Sequence, residues 1–126
     1  MDTFLLAQII QGEAGGMGAV GMIAIALSLH CRIWQYNHDM DRIAKEWYGR
    51  AEPSRAATVL AELVAAHALV DNDYYFAMGR GPDVEAQGFK KGDWVIMSND
   101  GKVGLHLYKA SNVPWEKEDG KGNELE

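Results

Sequence analysis

The sequence predicts an α+β domain, with helices first and a small antiparallel β-sheet in the C-terminal half. Three observations carry this. Apolar residues recur at three- and four-residue spacing as far as Val70, the chain then turns aromatic and β-prone, and Asn99-Asp-Gly101 separates two strand-like runs. The chain has 126 residues, 48% hydrophobic and 24% charged, enough for one packed core but not two. Residues 1–112 are therefore expected to form a single domain, and the polar stretch 113–126 an exposed tail.

Asp2 is a plausible N-cap for a first helix from Thr3 to about Gln11. Leu6, Ile9, Ile10 and Glu13 share its apolar stripe if the helix reaches that far. Gly15, Gly16, Gly18 and Gly21 break and restart the chain. A second helix, roughly Ala19 to Trp34, is apolar nearly all round, which predicts a central position. A short helix is expected around Asp41 to Tyr48. Pro53 suits the first turn of another, whose stripe runs through Ala56, Val59, Leu60, Leu63, Val64 and His67.

Asp73 to Met78, Trp94 to Ser98 and Lys102 to Lys109 read as strands, the last two forming a hairpin. Alternation assigns Val103, Leu105 and Leu107 to one face, and Gly104, His106 and Tyr108 to the other. The segment Gly79 to Gly92 is loop-like and is expected to border a cleft.

A net charge of −6, with the twelve basic residues scattered, argues against nucleic acid and against anionic membrane surfaces. The uncharged stretch Ala14 to Cys31 holds four glycines, and its strongly apolar part is shorter than the roughly 20 residues a bilayer needs. It reads as a buried core helix, with no membrane insertion. No basic segment precedes an apolar one at the N-terminus, so no secretory signal is visible.

Glu13 is the leading chemical candidate. A carboxyl on an apolar stripe at a helix end is partly desolvated yet reachable, and desolvation favours the protonated form that a general acid needs. The alternative is a helix ending at Gln11 or Gly12, which leaves Glu13 in solvent. Gly16-Met-Gly-Ala-Val-Gly21 matches the dinucleotide fingerprint, which requires a strand directly before it; otherwise these glycines serve close helix approach. His30, His38, His67 and His106 show no metal-ligand spacing, and His38-Asp39-Met-Asp41 reads as a solvated loop before a cation site. Cys31 reads as a small core residue. Tyr74, Tyr75 and Phe76 divide evenly between core and sugar platform. Neither a metal, a cofactor nor a covalent nucleophile is expected.

Glu13-Ala-Gly-Gly16, then Gly21-Met-Ile-Ala-Ile25 and Arg32, resembles the opening block of the spore-cortex lytic enzyme family of cell-wall hydrolases, roughly E-A-x-G-E-P, G-Q-x-A-V and N-R. Asp71 with Tyr74-Tyr-Phe76 is similar to the family's D-P-T-x-G-A-x-Y-F segment, and Gly104-Leu-His-Leu-Tyr108 to its closing G-x-H-x-F-Y strand. The resemblance spans about Leu5 to Lys109, with the blocks in order. Met17, Gly18 and Cys31 stand where the family has glutamate, proline and asparagine.

The resemblance implies a lysozyme-like fold and a lytic transglycosylase that cleaves the β-1,4 bond between N-acetylmuramic acid and N-acetylglucosamine in peptidoglycan, with Glu13 as the catalytic residue of a single catalytic domain. Such an enzyme manages with one acid, because the muramic acid C6 hydroxyl serves as nucleophile and closes a 1,6-anhydro ring. Tyr75, His106 and Tyr108 are then candidates to line the sugar cleft, and Arg32 to pair with a carboxylate of enzyme or substrate. Three rivals remain: a hydrolytic muramidase, which needs a second carboxyl, Asp39 or Asp41 being the next downstream of the first two helices, a non-catalytic peptidoglycan-binding or particle-structural domain, and a small dinucleotide-binding protein built on Gly16 to Gly21. The expected route to the wall is release at lysis, as for a phage endolysin, or carriage in a phage-like particle.

Overall fold

The computed structural model describes residues 2–80 and 88–112. Asp2 caps the first helix as expected, its carboxylate accepting a hydrogen bond from the Leu5 N–H at 3.0 Å. This helix, α1, runs Thr3–Ala14, past the Gln11 end that the sequence suggested, so Glu13 is helical. Leu6, Ile9 and Ile10 are fully buried, joined by Ala7 and Ala14. Gly15–Met17 then forms a single 3₁₀ turn, and Gly18, at φ +74°, restarts the chain in the left-handed region that glycine tolerates.

The second helix, α2, spans Gly18–Gln35 and packs against α1 and elements from the rest of the chain. It is central, but not buried on every side. Val20, Ile23 and Trp34 are exposed, while Ser28, His30 and Arg32 are buried on its inner face. Apolar residues outnumber the positions that its neighbours cover, and the inner face also holds charged groups that find partners from other segments. The stretch Thr3–Gln35 is apolar enough by length and composition to cross a membrane, yet 56% of the window tested is buried within the fold.

Helix α2 ends without a glycine. Asn37 and His38 both adopt positive φ, the Asn37 N–H bonds to the Trp34 carbonyl at 3.3 Å, and the His38 N–H bonds to the Ile33 carbonyl at 2.8 Å. Asp39 then caps a third helix, α3, Met40–Glu46, by accepting from the Arg42 N–H at 3.1 Å. His38, Asp39 and Asp41 are exposed, in keeping with a solvated loop and a cap. Ile43 and, just past the helix, Trp47 enter the core.

The fourth helix, α4, is Arg55–Ala65 with Ser54 as its cap, so Pro53 precedes the helix and does not lie in its first turn. Its buried face is Ala57, Ala61 and Val64. Ala56 and Val59, expected in the stripe, are exposed, and His67 lies beyond the helix end. The small alanines let α4 lie close against α1 and α2, and this rotates the inward face away from the bulkier residues.

The sheet has the order β1-β3-β2, both pairings antiparallel, with β1 Tyr74–Arg80, β2 Trp94–Met97 and β3 Gly104–Lys109. The Asn99-Asp-Gly101 turn joins β2 to β3 as expected, with Gly101 at φ +72° and its N–H on the Ser98 carbonyl at 2.9 Å. An α+β architecture with its small antiparallel sheet in the C-terminal half is therefore what the chain adopts. Leu105 and Leu107 complete the helical core.

The other face of β3 departs from expectation. His106 and Tyr108 are not open to solvent; they are 1% and 0% exposed. The strand is central, and the stretch before β2 folds over it: the Gly92 N–H bonds to His106 Nδ1 at 3.0 Å, and the Tyr108 hydroxyl donates to the Lys90 carbonyl at 2.5 Å. Val103, expected inward, is exposed and precedes the strand. Residues 81–87, the middle of the loop expected to border a cleft, lie outside the described residues, as does the tail 113–126.

Burial, aided by the nearby positive charge of Lys91, lowers the His106 pKa below its ordinary 6.5. The unfolded chain then binds the proton more readily than the folded one, so folding stability falls as pH drops below 6.5 and levels off below the folded pKa. Unfolding followed between pH 7.5 and 5 in the protein and in His106→Gln is expected to show a shallower acid loss in the variant. Parallel curves would remove His106 from the account.

Candidate active site

Glu13 emerges on the last turn of α1, half-buried, and one carboxylate oxygen accepts a hydrogen bond from the Gly49 N–H at 2.8 Å. This contact depends on two glycines. A Cβ on Gly12 would lie 2.2 Å from the Arg50 nitrogen and 2.4 Å from the Gly49 carbonyl carbon, and one on Gly49 would lie 2.7 Å from the Glu13 nitrogen. Helix and loop meet backbone to backbone. The approach fixes the Glu13 carboxylate through a charge-assisted bond worth about 2 kcal/mol.

The same carboxylate lines a cleft of about 490 Å³, bounded by Arg32 from α2, Glu46, Trp47 and Tyr48 from the end of α3, and Phe76 to Gly79 from β1. Tyr48 is 80% exposed and Trp47 is buried, so the cleft has one solvent-facing ring and a packed floor. Among the described residues Glu13 makes no hydrogen bond other than the one from Gly49.

Glu46 is the second carboxylate here. It sits in a network rather than alone. Arg32, 6% exposed, reaches it at 2.5 Å, the Tyr36 hydroxyl donates to the same oxygen, and Arg42 approaches its other oxygen at 3.4 Å. Arg32 also donates to the Tyr75 carbonyl and to the Tyr36 hydroxyl, while its guanidinium lies 4.7 Å from the centre of the Tyr75 ring. Burial, with the bond to Glu46, raises the Tyr36 pKa, so the phenol stays a donor at neutral pH.

The four substrate residues expected from sequence fare differently. Arg32 lines the cleft, with its charge directed at Glu46. Tyr75 does not line it and acts as a stacking partner behind Arg32. His106 and Tyr108 are enclosed under the 90–92 segment, because β3 is the central strand. The aromatic of β1 that reaches the cleft is Phe76, while Tyr74 packs toward the helical core beside Trp94.

Sequence reasoning missed Glu46, Tyr48 and Gly49. Nothing in their spacing links them to Glu13, since a chain reversal through α2 and α3 separates them; only the glycine following an aromatic pair hinted at a tight approach. Asp39 and Asp41, held as the next acids downstream, do not line the cleft. The Gly16 to Gly21 motif follows a helix and begins within a 3₁₀ turn, with no strand before it, which removes the setting that dinucleotide binding requires. Cys31 is partly buried; burial and the Asp73 charge push its thiol up, outweighing Arg32.

The histidines also depart from expectation. Their spacing suggested no metal-ligand set, yet the end of α4 brings His67 onto His30, with Asp71 beside both. Compared with known proteins, the chain matches no family model, no curated protein and no solved structure.

Proposed function

We propose that this chain is a peptidoglycan-cleaving glycosidase, a lytic transglycosylase acting on the β-1,4 bond between N-acetylmuramic acid and N-acetylglucosamine. The observation that carries the reading is Glu13: a half-buried carboxyl on a cleft wall, anchored through one oxygen by Gly49. The resemblance of the Glu13, Gly21 to Ile25, Asp71 to Phe76 and Gly104 to Tyr108 blocks to spore-cortex lytic enzymes supports the choice of substrate.

In this reading the protonated Glu13 gives its proton to the glycosidic oxygen as the bond from C1 breaks. The resulting carboxylate takes the proton of the muramic acid C6 hydroxyl, whose oxygen bonds to C1 and closes the 1,6-anhydro ring. Glu13 ends protonated, ready for another cycle, and no water is consumed. The Gly49 N–H holds the carboxyl in one orientation through both transfers, so no time is lost to side-chain searching. Tyr48 and Phe76 offer faces for the C–H surfaces of the sugars. The wall's glycan strands are the partner implied.

One observation favours a hydrolytic muramidase as the second reading: Glu46 supplies the second carboxylate that a water-using mechanism requires. Its two oxygens are already engaged by Arg32, Tyr36 and Arg42, which is why the transglycosylase is preferred. Digestion of purified peptidoglycan, with mass spectrometry of the muropeptides, separates the two. Anhydro-muramyl ends support the transglycosylase, and reducing ends support the muramidase. For the former, Glu46→Gln is expected to lower the rate about tenfold or less through the loosened network; a muramidase base would lose roughly 100-fold or more. A folded protein that releases nothing from several wall types would sink both.

A further inference from the structure

A second cluster lies apart from the cleft and uses none of its lining residues. His30, on the inner face of α2, is 2% exposed. His67 stacks on it with ring centres 4.4 Å apart and planes 11° from parallel. Both rings turn Nε2 toward the same Asp71 oxygen, His30 at 3.2 Å and His67 at 3.7 Å, and the three potential ligand atoms all lie within 4.8 Å of one another.

We propose that His30, His67 and Asp71 form a binding site for a divalent transition-metal cation of the zinc class. Two imidazole nitrogens and one carboxylate oxygen are a donor set that zinc favours, and bonds of 2.0–2.2 Å in tetrahedral array put neighbouring ligands about 3.4 Å apart. The two separations from Asp71 bracket that value. An ion lies in the plane of each imidazole that holds it, so binding turns the partly exposed His67 ring out of its stack on His30. Asp71 is 89% exposed, which gives the ion an entry path and leaves its fourth position to water.

The placement of His67 adds to this. It follows the C-cap Ala66, two residues beyond α4, at φ +55°, its N–H bonded to the Val64 carbonyl at 3.0 Å and the next N–H, of Ala68, to the Leu63 carbonyl at 2.8 Å. Glycine is the residue favoured at such a helix end, because a side chain strains the left-handed backbone. A histidine here directs its ring onto His30 instead. The ion would tie together α2, the end of α4 and the approach to β1, three segments joined covalently only through the backbone.

Trp34 supplies a reporter. Its indole N–H donates to His67 Nδ1, so the neutral ring carries its proton on Nε2. Binding a metal through Nε2 moves that proton to Nδ1 and breaks the indole bond. Trp34, 48% exposed, is free to turn away, and its fluorescence changes.

The test titrates zinc chloride into the full chain, with magnesium chloride as the comparison, and follows thermal unfolding and tryptophan fluorescence. Zinc at a hundredfold excess over its dissociation constant is expected to raise Tm by roughly 10 °C, magnesium to do nothing. Asp71→Asn and His67→Gly are each expected to weaken zinc binding tenfold or more. Neither should unfold the protein, since Asp71 is exposed and glycine suits the His67 backbone. A fluorescence response that Trp34→Phe removes places the ion beside that ring. No response to zinc at millimolar concentration, or equal responses in the protein and both variants, overturns the proposal.

Discussion

If the proposed function holds, replacing Glu13 by glutamine is expected to lower peptidoglycan cleavage about 1,000-fold, within the range that one positioned general acid and base contributes. The substitution is nearly isosteric. A glutamine carbonyl still accepts the Gly49 N–H, so the α1-to-loop contact survives and Tm should move by no more than a few degrees. What disappears is the ability to give a proton and then take one back. The measurement is the rate of muropeptide release at equal concentration of folded protein. Turnover within tenfold of the unsubstituted protein would show that another group carries the proton, and Glu46 would be the first to test.

Gly12→Ala carries the largest expected effect on stability. The added methyl would lie within 2.9 Å of three backbone atoms of Gly49 and Arg50, none of which belongs to a flexible side chain. Relief requires moving the whole loop off α1, at a cost of about 3 kcal/mol. Tm should fall by roughly 10 °C. The loop carries the N–H that anchors Glu13 and adjoins Tyr48, so in the proposed function cleavage is expected to fall at least tenfold even where the variant is fully folded. Gly16→Ala is the control: no neighbouring atom lies within 4 Å of its added methyl. Similar Tm values for the two variants would mean that the backbone approach at Gly12 yields at little cost, and the glycine pair would lose its role in positioning Glu13.

Much of the architecture was legible from the order of residues. Asp2 before a stripe of Leu6, Ile9 and Ile10, the glycine run before α2, and Asn99 to Gly101 between alternating runs are local signals, set by hydrogen bonds and side-chain periods within a few residues. Glu13 was legible for the same reason. It continues the period of α1, and the helix does extend far enough to hold it.

The partners of Glu13 were not legible. Gly49 and Glu46 lie more than thirty residues away, and only the packing of the loop after α3 against α1 brings them to the cleft. The burial of His106 and Tyr108 was hidden likewise: alternation distinguishes two faces of a strand but does not say whether a later segment covers the second. The His30, His67 and Asp71 cluster needed the left-handed turn after α4, made by a residue with no glycine signature. Local sequence determined the helices, the hairpin and the candidate acid, because their energetics are short-range. Tertiary structure alone decided which carboxylates, rings and backbone N–H groups meet, because those contacts depend on how whole elements pack.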